Sequence, residues 1–138
     1  MTFGQGVAQH ALVAGKTGSG KSNLLHVVVT SLAMWYSPGE LELYLVDFKK
    51  GVEFKAYATE RFPHAKVVAI ESDREFGLSV LARLDEEMQR RGDLLRRHHV
   101  QDLPSYRRAT GEKLPRCLLI VDEFHVLLAE DDKLSQDA

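Results

Sequence analysis

A single cysteine, Cys117, excludes any intrachain disulfide. Its place in an apolar run predicts a buried strand residue rather than a metal ligand. There is no excess of positive charge: Lys and Arg number 18 against 20 Asp and Glu, for a net charge of -2. That balance excludes binding to nucleic acid through overall charge. It leaves a local patch, or a ring of subunits, as the route to such contact. No run reaches the roughly 18 apolar residues that a membrane span needs. Met1 to Gln9 lacks the apolar core of a signal peptide. Internal repeats and low-complexity segments are also lacking. These absences point to a reducing, cytoplasmic setting, including that of a cytoplasmic domain in a membrane-anchored parent. What is present is ordinary for a soluble domain: 44% hydrophobic and 28% charged residues in a chain of 138, enough for one core.

Hydrophobic patterning alternates between strands and helices. "HALVA", His10 to Ala14, is a short apolar run that fits a buried strand. Lys21 to Tyr36 follows a glycine-rich stretch. Its Val27, Val28, Val29 and Thr30 favour a strand by propensity. A helix is predicted all the same, because Leu24, Leu25, Val28 and Leu32 share one helical face. Leu41 to Phe48 and Ala65 to Ile70 are the second and third strands, with a short helix over Val52 to Ala58 between them. Ser72 or Asp73 caps a long helix that runs to about Arg97, with Leu81, Leu84, Met88 and Leu95 as its apolar stripe. His98 to Lys113 is polar, with Pro104 and Gly111 as breakers. Arg116 to Phe124 is the fourth strand. Alternation of this kind predicts an α/β fold with a mostly parallel sheet. Four strands are few for a nucleotide-binding sheet, so an edge is expected to be missing.

"GKTGSGKS" lies between the first strand and the first helix. Gly15, Lys16, Thr17, Gly18, Ser19, Gly20, Lys21 and Ser22 match G-x-x-x-x-G-K-[ST] at every fixed position. The glycines permit tight backbone geometry that turns successive N–H groups toward phosphates. The helix that follows adds its positive end. Lys21 would reach the β- and γ-phosphates of ATP, and Ser22 would ligate Mg²⁺. The alternative is a degenerate loop in a non-binding descendant.

A second group of candidates ends the apolar run Leu118 to Val121. Asp122 is placed to hold magnesium through water, and Glu123 to act as the base that polarises the attacking water. The plain alternative for Glu123 is a structural carboxylate at a strand end. His125 beside it reads as a surface residue. Asp47 ends the second strand, on the side of the sheet where ligands gather, next to Lys49 and Lys50. The one locally basic region holds Arg90, Arg91, Arg96, Arg97, Arg107 and Arg108 with His98 and His99. It fits a solvated helix end; a contact to nucleic acid or to a neighbouring subunit is the sharper reading.

"HALVAGKTGSGKSNLL", "LYLVDFKKGVEF", "PHAKVVAI" and "LPRCLLIVDEF" together resemble the FtsK/SpoIIIE family of motor ATPases, over about residues 8 to 130. Asp47 to Lys49, followed by Pro63 and His64, makes the resemblance specific. It implies a RecA-like P-loop NTPase, a three-layer sandwich that uses ATP and Mg²⁺. Lys21 and Ser22 match the nucleotide and magnesium residues, and Asp122 and Glu123 match the Walker B pair. The resemblance further implies a ring, hexameric in the complete protein, that pumps double-stranded DNA in chromosome segregation. A related branch energises type VII secretion, with a secreted protein as partner. The family's motor core continues past this point, so residues 1–138 are expected to be a partial domain, with hydrolysis completed by the missing part and by neighbouring subunits. The leading expectation is a DNA-translocase ATPase domain. The alternatives are a protein-secretion ATPase and a nucleotide-binding module that does not hydrolyse.

Overall fold

The computed structural model of the chain describes residues 12–14, 20–48, 54–70 and 74–126. The chain forms two compact units, Met1–Trp35 and Tyr36–Ala138. In the first, helix α1 spans Lys21–Trp35. Its β-branched run is helical, as the 3.6-residue pattern predicts, because strand propensity is a weak preference. The buried face is centred on Val29, with Leu25, Val28 and Leu32 partly buried beside it, while Leu24 is exposed. The face is thus rotated from the expected one by about a residue. The strand expected at His10 to Ala14 is not found where the chain is described. Leu12 to Ala14 belong to no strand, and Leu12 is 71% exposed. An apolar run becomes a strand only by pairing, and no described strand pairs with this one. His10 and Ala11 lie outside the described residues.

The second unit is built on three parallel strands: β1 (Leu41–Asp47), β2 (Ala65–Ala69) and β3 (Arg116–Asp122), in the order β2-β1-β3. Parallel neighbours need crossovers, and the chain supplies α2 (Lys55–Thr59), α3 (Arg74–Arg97) and α4 (Leu103–Thr110). The central strand β1 is buried on both faces, which explains its nearly continuous apolar run. On one face Tyr44, Val46 and Ala69 pack with Val80 of α3, flanked by Val67, Leu84, Leu119 and Val121. The other face carries Leu43, Leu45 and Asp47, in register with Leu118, Ile120 and Asp122. His64 leads into β2. Its carbonyl accepts from Leu43 N, and its Nε2 donates to the Tyr36 carbonyl at 2.6 Å.

The inward face of α3 departs from the expected stripe. Met88 is 70% exposed, and the positions that follow Val80 and Leu84 at helical spacing are Glu87 and Arg91. Arg91 Nε meets Glu87 Oε1 at 2.7 Å, and its Nη2 lies 3.8 Å from Glu42 Oε2. The same guanidinium donates to the Pro115 carbonyl. An arginine therefore ties α3 to β1 and to the entry of β3. Cys117, expected to be buried, is exposed. It points to the polar side of β3, with Sγ 3.8 Å from Glu42 Oε2. Desolvation at the sulfur pushes its pKa up, against Arg91 and with Glu42 and Glu87 adding to the rise.

The polar stretch His98 to Lys113 contains a helix, α4. Asp102 caps it by accepting from Ser105 N at 2.8 Å, Pro104 sits in its first turn, and Gly111 closes it at φ 73°. The two residues expected to break structure begin and end it instead.

Candidate nucleotide site

Of the phosphate-loop residues, Gly15 to Ser19 lie outside the described residues, as do Lys49 and Lys50. Gly20, Lys21 and Ser22 are described. Gly20 has φ 90°, a conformation that L side chains avoid, and the space where a Cβ would stand is open. Its carbonyl accepts the Leu24 N–H at 2.9 Å, so α1 starts directly on it. Lys21 and Ser22 are the first helical residues, both partly buried, and the first turn of α1 holds no acidic side chain. A positive helix end without a competing carboxylate suits a phosphate.

In the second unit, the carboxyl ends of β1 and β3 bring Asp47 and Asp122 side by side as direct register partners. Both are buried, at 0% and 2% exposure. Asp47 Oδ2 accepts from Phe54 N, just ahead of α2, at 3.3 Å. The Phe48 N–H faces the Asp122 carbonyl at 3.5 Å. Asp122 is the last residue of β3, not an interior one. Glu123, expected within a strand running to Phe124, has left the strand with φ 60°. A non-glycine residue in that region costs about 1–3 kcal/mol, and the Glu123 side chain is 20% exposed. Its Oε2 lies 3.3 Å from Nδ1 of His125, which is itself exposed.

The donor types fit the group that the loop motif implies. Ser22 in the first unit and Asp122 in the second each offer a hard oxygen donor of the kind Mg²⁺ takes. Among the described residues no cluster of three or more His, Cys, Asp or Glu could hold a metal by itself, so such an ion would need substrate oxygens and water. The register of Asp47 opposite Asp122 was not readable from sequence, because strand order is not a local property. The basic region divides. Arg90 binds Glu87 through two nitrogens, at 2.8 and 2.6 Å, Arg91 is held as described, and Arg96 pairs with Asp93. Arg97 and Arg107 are exposed. Among the described residues no helix is long and apolar enough to cross a membrane.

The model of the FtsK/SpoIIIE family matches residues 1–137. The chain is 40% identical over 137 residues to the ESX-4 secretion system protein EccC4 of Mycobacterium tuberculosis, covering 91% of this chain and 11% of that protein. It is 34% identical over 129 residues to the ESX secretion system protein EccC of Geobacillus thermodenitrificans, covering 88% and 9%. It is 35% identical over 124 residues to the DNA translocase SftA of Bacillus subtilis, covering 86% and 13%. Among solved structures, the cytoplasmic domain of the Thermomonospora curvata type VII secretion ATPase EccC superposes with a TM-score of 0.70 at 32% identity, over 88% of this chain and 15% of that one. The chain therefore spans about a tenth of the length of the secretion proteins it matches. With its parallel α/β sheet and loop motif, the chain belongs to the FtsK/SpoIIIE family as an ATP-binding, RecA-like P-loop NTPase domain, in a family that includes both DNA translocases and type VII secretion ATPases.

Proposed function

We propose that this domain is the Mg²⁺-dependent ATPase of a type VII protein secretion system, and that it works in a ring of like subunits. The observation that carries this reading is the 40% identity to EccC4 over nearly the whole chain, supported by the superposition on a secretion ATPase. It replaces the DNA translocase as first choice. The translocase stays as the second reading because SftA, a DNA translocase, is 35% identical over a similar span.

In this reading Gly15 to Ser22 cradle the phosphates of ATP, and Lys21 offsets charge on the β- and γ-phosphates. Ser22 and Asp122 would hold Mg²⁺, which supplies charge neutralisation at the transferring phosphoryl group when bound. Glu123 orients a water and accepts its proton as that water attacks the γ-phosphorus, while the bond from that phosphorus to the β–γ bridging oxygen breaks and ADP leaves. Asp47, the register partner of Asp122, accepts from Phe54 N and so ties the end of β1 to the start of α2. A neighbouring subunit adds positive charge, a contribution worth roughly 10³–10⁵ in rate in related chemistry. Arg97 and Arg107 are exposed.

The discriminating experiment measures turnover by the intact protein with and without each polymer. Stimulation by a secreted substrate protein and indifference to double-stranded DNA is the expected result. Stimulation by DNA alone would return the translocase to first place.

A further inference from the structure

A cleft lies in the same unit as Asp47 and Asp122 but at the other end of the sheet. It opens between α3 and the amino ends of the strands, with a volume of about 310 Å³. Glu42 and Lys66, the second residues of β1 and β2, line it together with Pro115, which precedes β3. We propose that this cleft docks an acidic peptide segment of a partner protein, with one of its carboxylates seated between Lys66 and Arg83.

Strand geometry delivers Lys66 to the cleft. β1 and β2 pair Leu43 with Ala65 and then Tyr44 with Val67, so one step on β1 meets two on β2. Lys66 is the extra residue of this bulge. Tyr44 and Val67 share the face that packs with Val80 of α3. Strict alternation back from Val67 would turn Lys66 to the opposite face. The bulge suspends that alternation, and Lys66 lines the same cleft as Tyr44. Bulges are uncommon in parallel pairs, and they commonly re-aim a side chain.

The charges that line the cleft are unevenly engaged. Glu87 is held by Arg90 and Arg91, and Arg91 also faces Glu42. Lys66 and Arg83 make no ion pair or side-chain hydrogen bond among the described residues. Arg83 offers a planar fork that matches a carboxylate through two bonds, and Lys66 adds a compact ammonium. Tyr44 lines the cleft as well. Burial raises its pKa, so its hydroxyl stays protonated and can donate at neutral pH. Among the described residues, Glu86 is the lining carboxylate that no cation holds. It repels a ligand of high charge density. A single carboxylate therefore fits better than a phosphate backbone, and Glu86 can accept from the peptide N–H groups beside that carboxylate.

The test is a fluorescence-anisotropy titration of the chain with a labelled hexaglutamate peptide. It is repeated for Lys66→Gln, Arg83→Gln, Glu86→Gln and Arg97→Gln, each first shown to be folded by circular dichroism. Arg97 is exposed and lies outside the cleft, so it controls for charge alone. We expect the unsubstituted chain to bind the peptide. Lys66→Gln and Arg83→Gln should each weaken binding roughly tenfold, Glu86→Gln should tighten it, and Arg97→Gln should leave it nearly unchanged. Equal binding by all five proteins, an equal loss in Arg97→Gln, or no binding by the unsubstituted chain would overturn the site. Displacement of the peptide by inorganic phosphate or by a DNA duplex, at the same concentration of charge, would overturn the peptide as its occupant. None of these readouts involves a nucleotide, so the site stands or falls apart from the proposed ATPase.

Discussion

Several side chains do work that their residue type does not announce. Glu87 sits on the inward face of α3, between Arg90 and Arg91. The hydrogen bond from Arg90, joined by that from Arg91, lowers its pKa to about 2. The ordinary glutamate value is roughly 4.3. A carboxyl lowered by folding stabilises the fold above its unfolded pKa, and that contribution fades as pH falls through the folded one. Glu87→Gln should therefore lower stability at neutral pH, by about 1 kcal/mol for a partly exposed pair. The gap should close as pH falls from about 4.3 toward 2. Urea unfolding of both proteins across that range checks it; a gap independent of pH would mean the arginines do not act on this carboxylate. Cys117 was expected to be a core residue and is not. Cys117→Ser should shift the unfolding midpoint little, by less than about 0.5 kcal/mol. Because its thiol pKa is raised, it should also react with a thiol reagent more slowly than free cysteine at neutral pH. Apolar neighbours in sequence had suggested burial, but alternate strand residues face opposite sides, and Cys117 near the start of β3 faces Glu42 and solvent.

At the scale of elements, period and caps decided most of what could be read in advance. The strands at Leu41, Ala65 and Arg116 and the long helix ending at Arg97 lie where alternation and helical spacing put them. α4 was missed because its signals were read as interruptions. Asp102, Pro104 and Gly111 are a start, a first turn and a stop. Asp102→Ala should cost about 1 kcal/mol. Gly111→Ala should cost a similar amount, because φ 73° strains any residue with a Cβ. Thermal unfolding measures both, and unchanged midpoints would mean α4 contributes nothing to the cooperative unit. The candidate site was legible only in parts. The loop motif and the acid pair stand out as local strings, and Asp47 was placed at the correct end of the sheet. That Asp47 lies directly against Asp122 follows from the strand order β2-β1-β3, a pairing between segments far apart in sequence. His125 was read as a surface residue and is exposed.

For the whole molecule, family and task are separate questions. The family follows from a match over residues 1–137. The choice between moving a protein and moving DNA does not follow from the fold, because one fold hosts several tasks and relatives of both kinds match this chain. Both readings rest on one proposal: that Gly15 to Ser22 and the acids that end β3 serve one nucleotide. The most direct test is a calorimetric titration with ATP and Mg²⁺ of the chain, of Lys21→Ala and of Asp122→Asn, each first shown to be folded. The account predicts tight binding by the unsubstituted chain, loss of binding in Lys21→Ala, and loss of the Mg²⁺ dependence in Asp122→Asn. Equal, Mg²⁺-dependent binding by all three would contradict it.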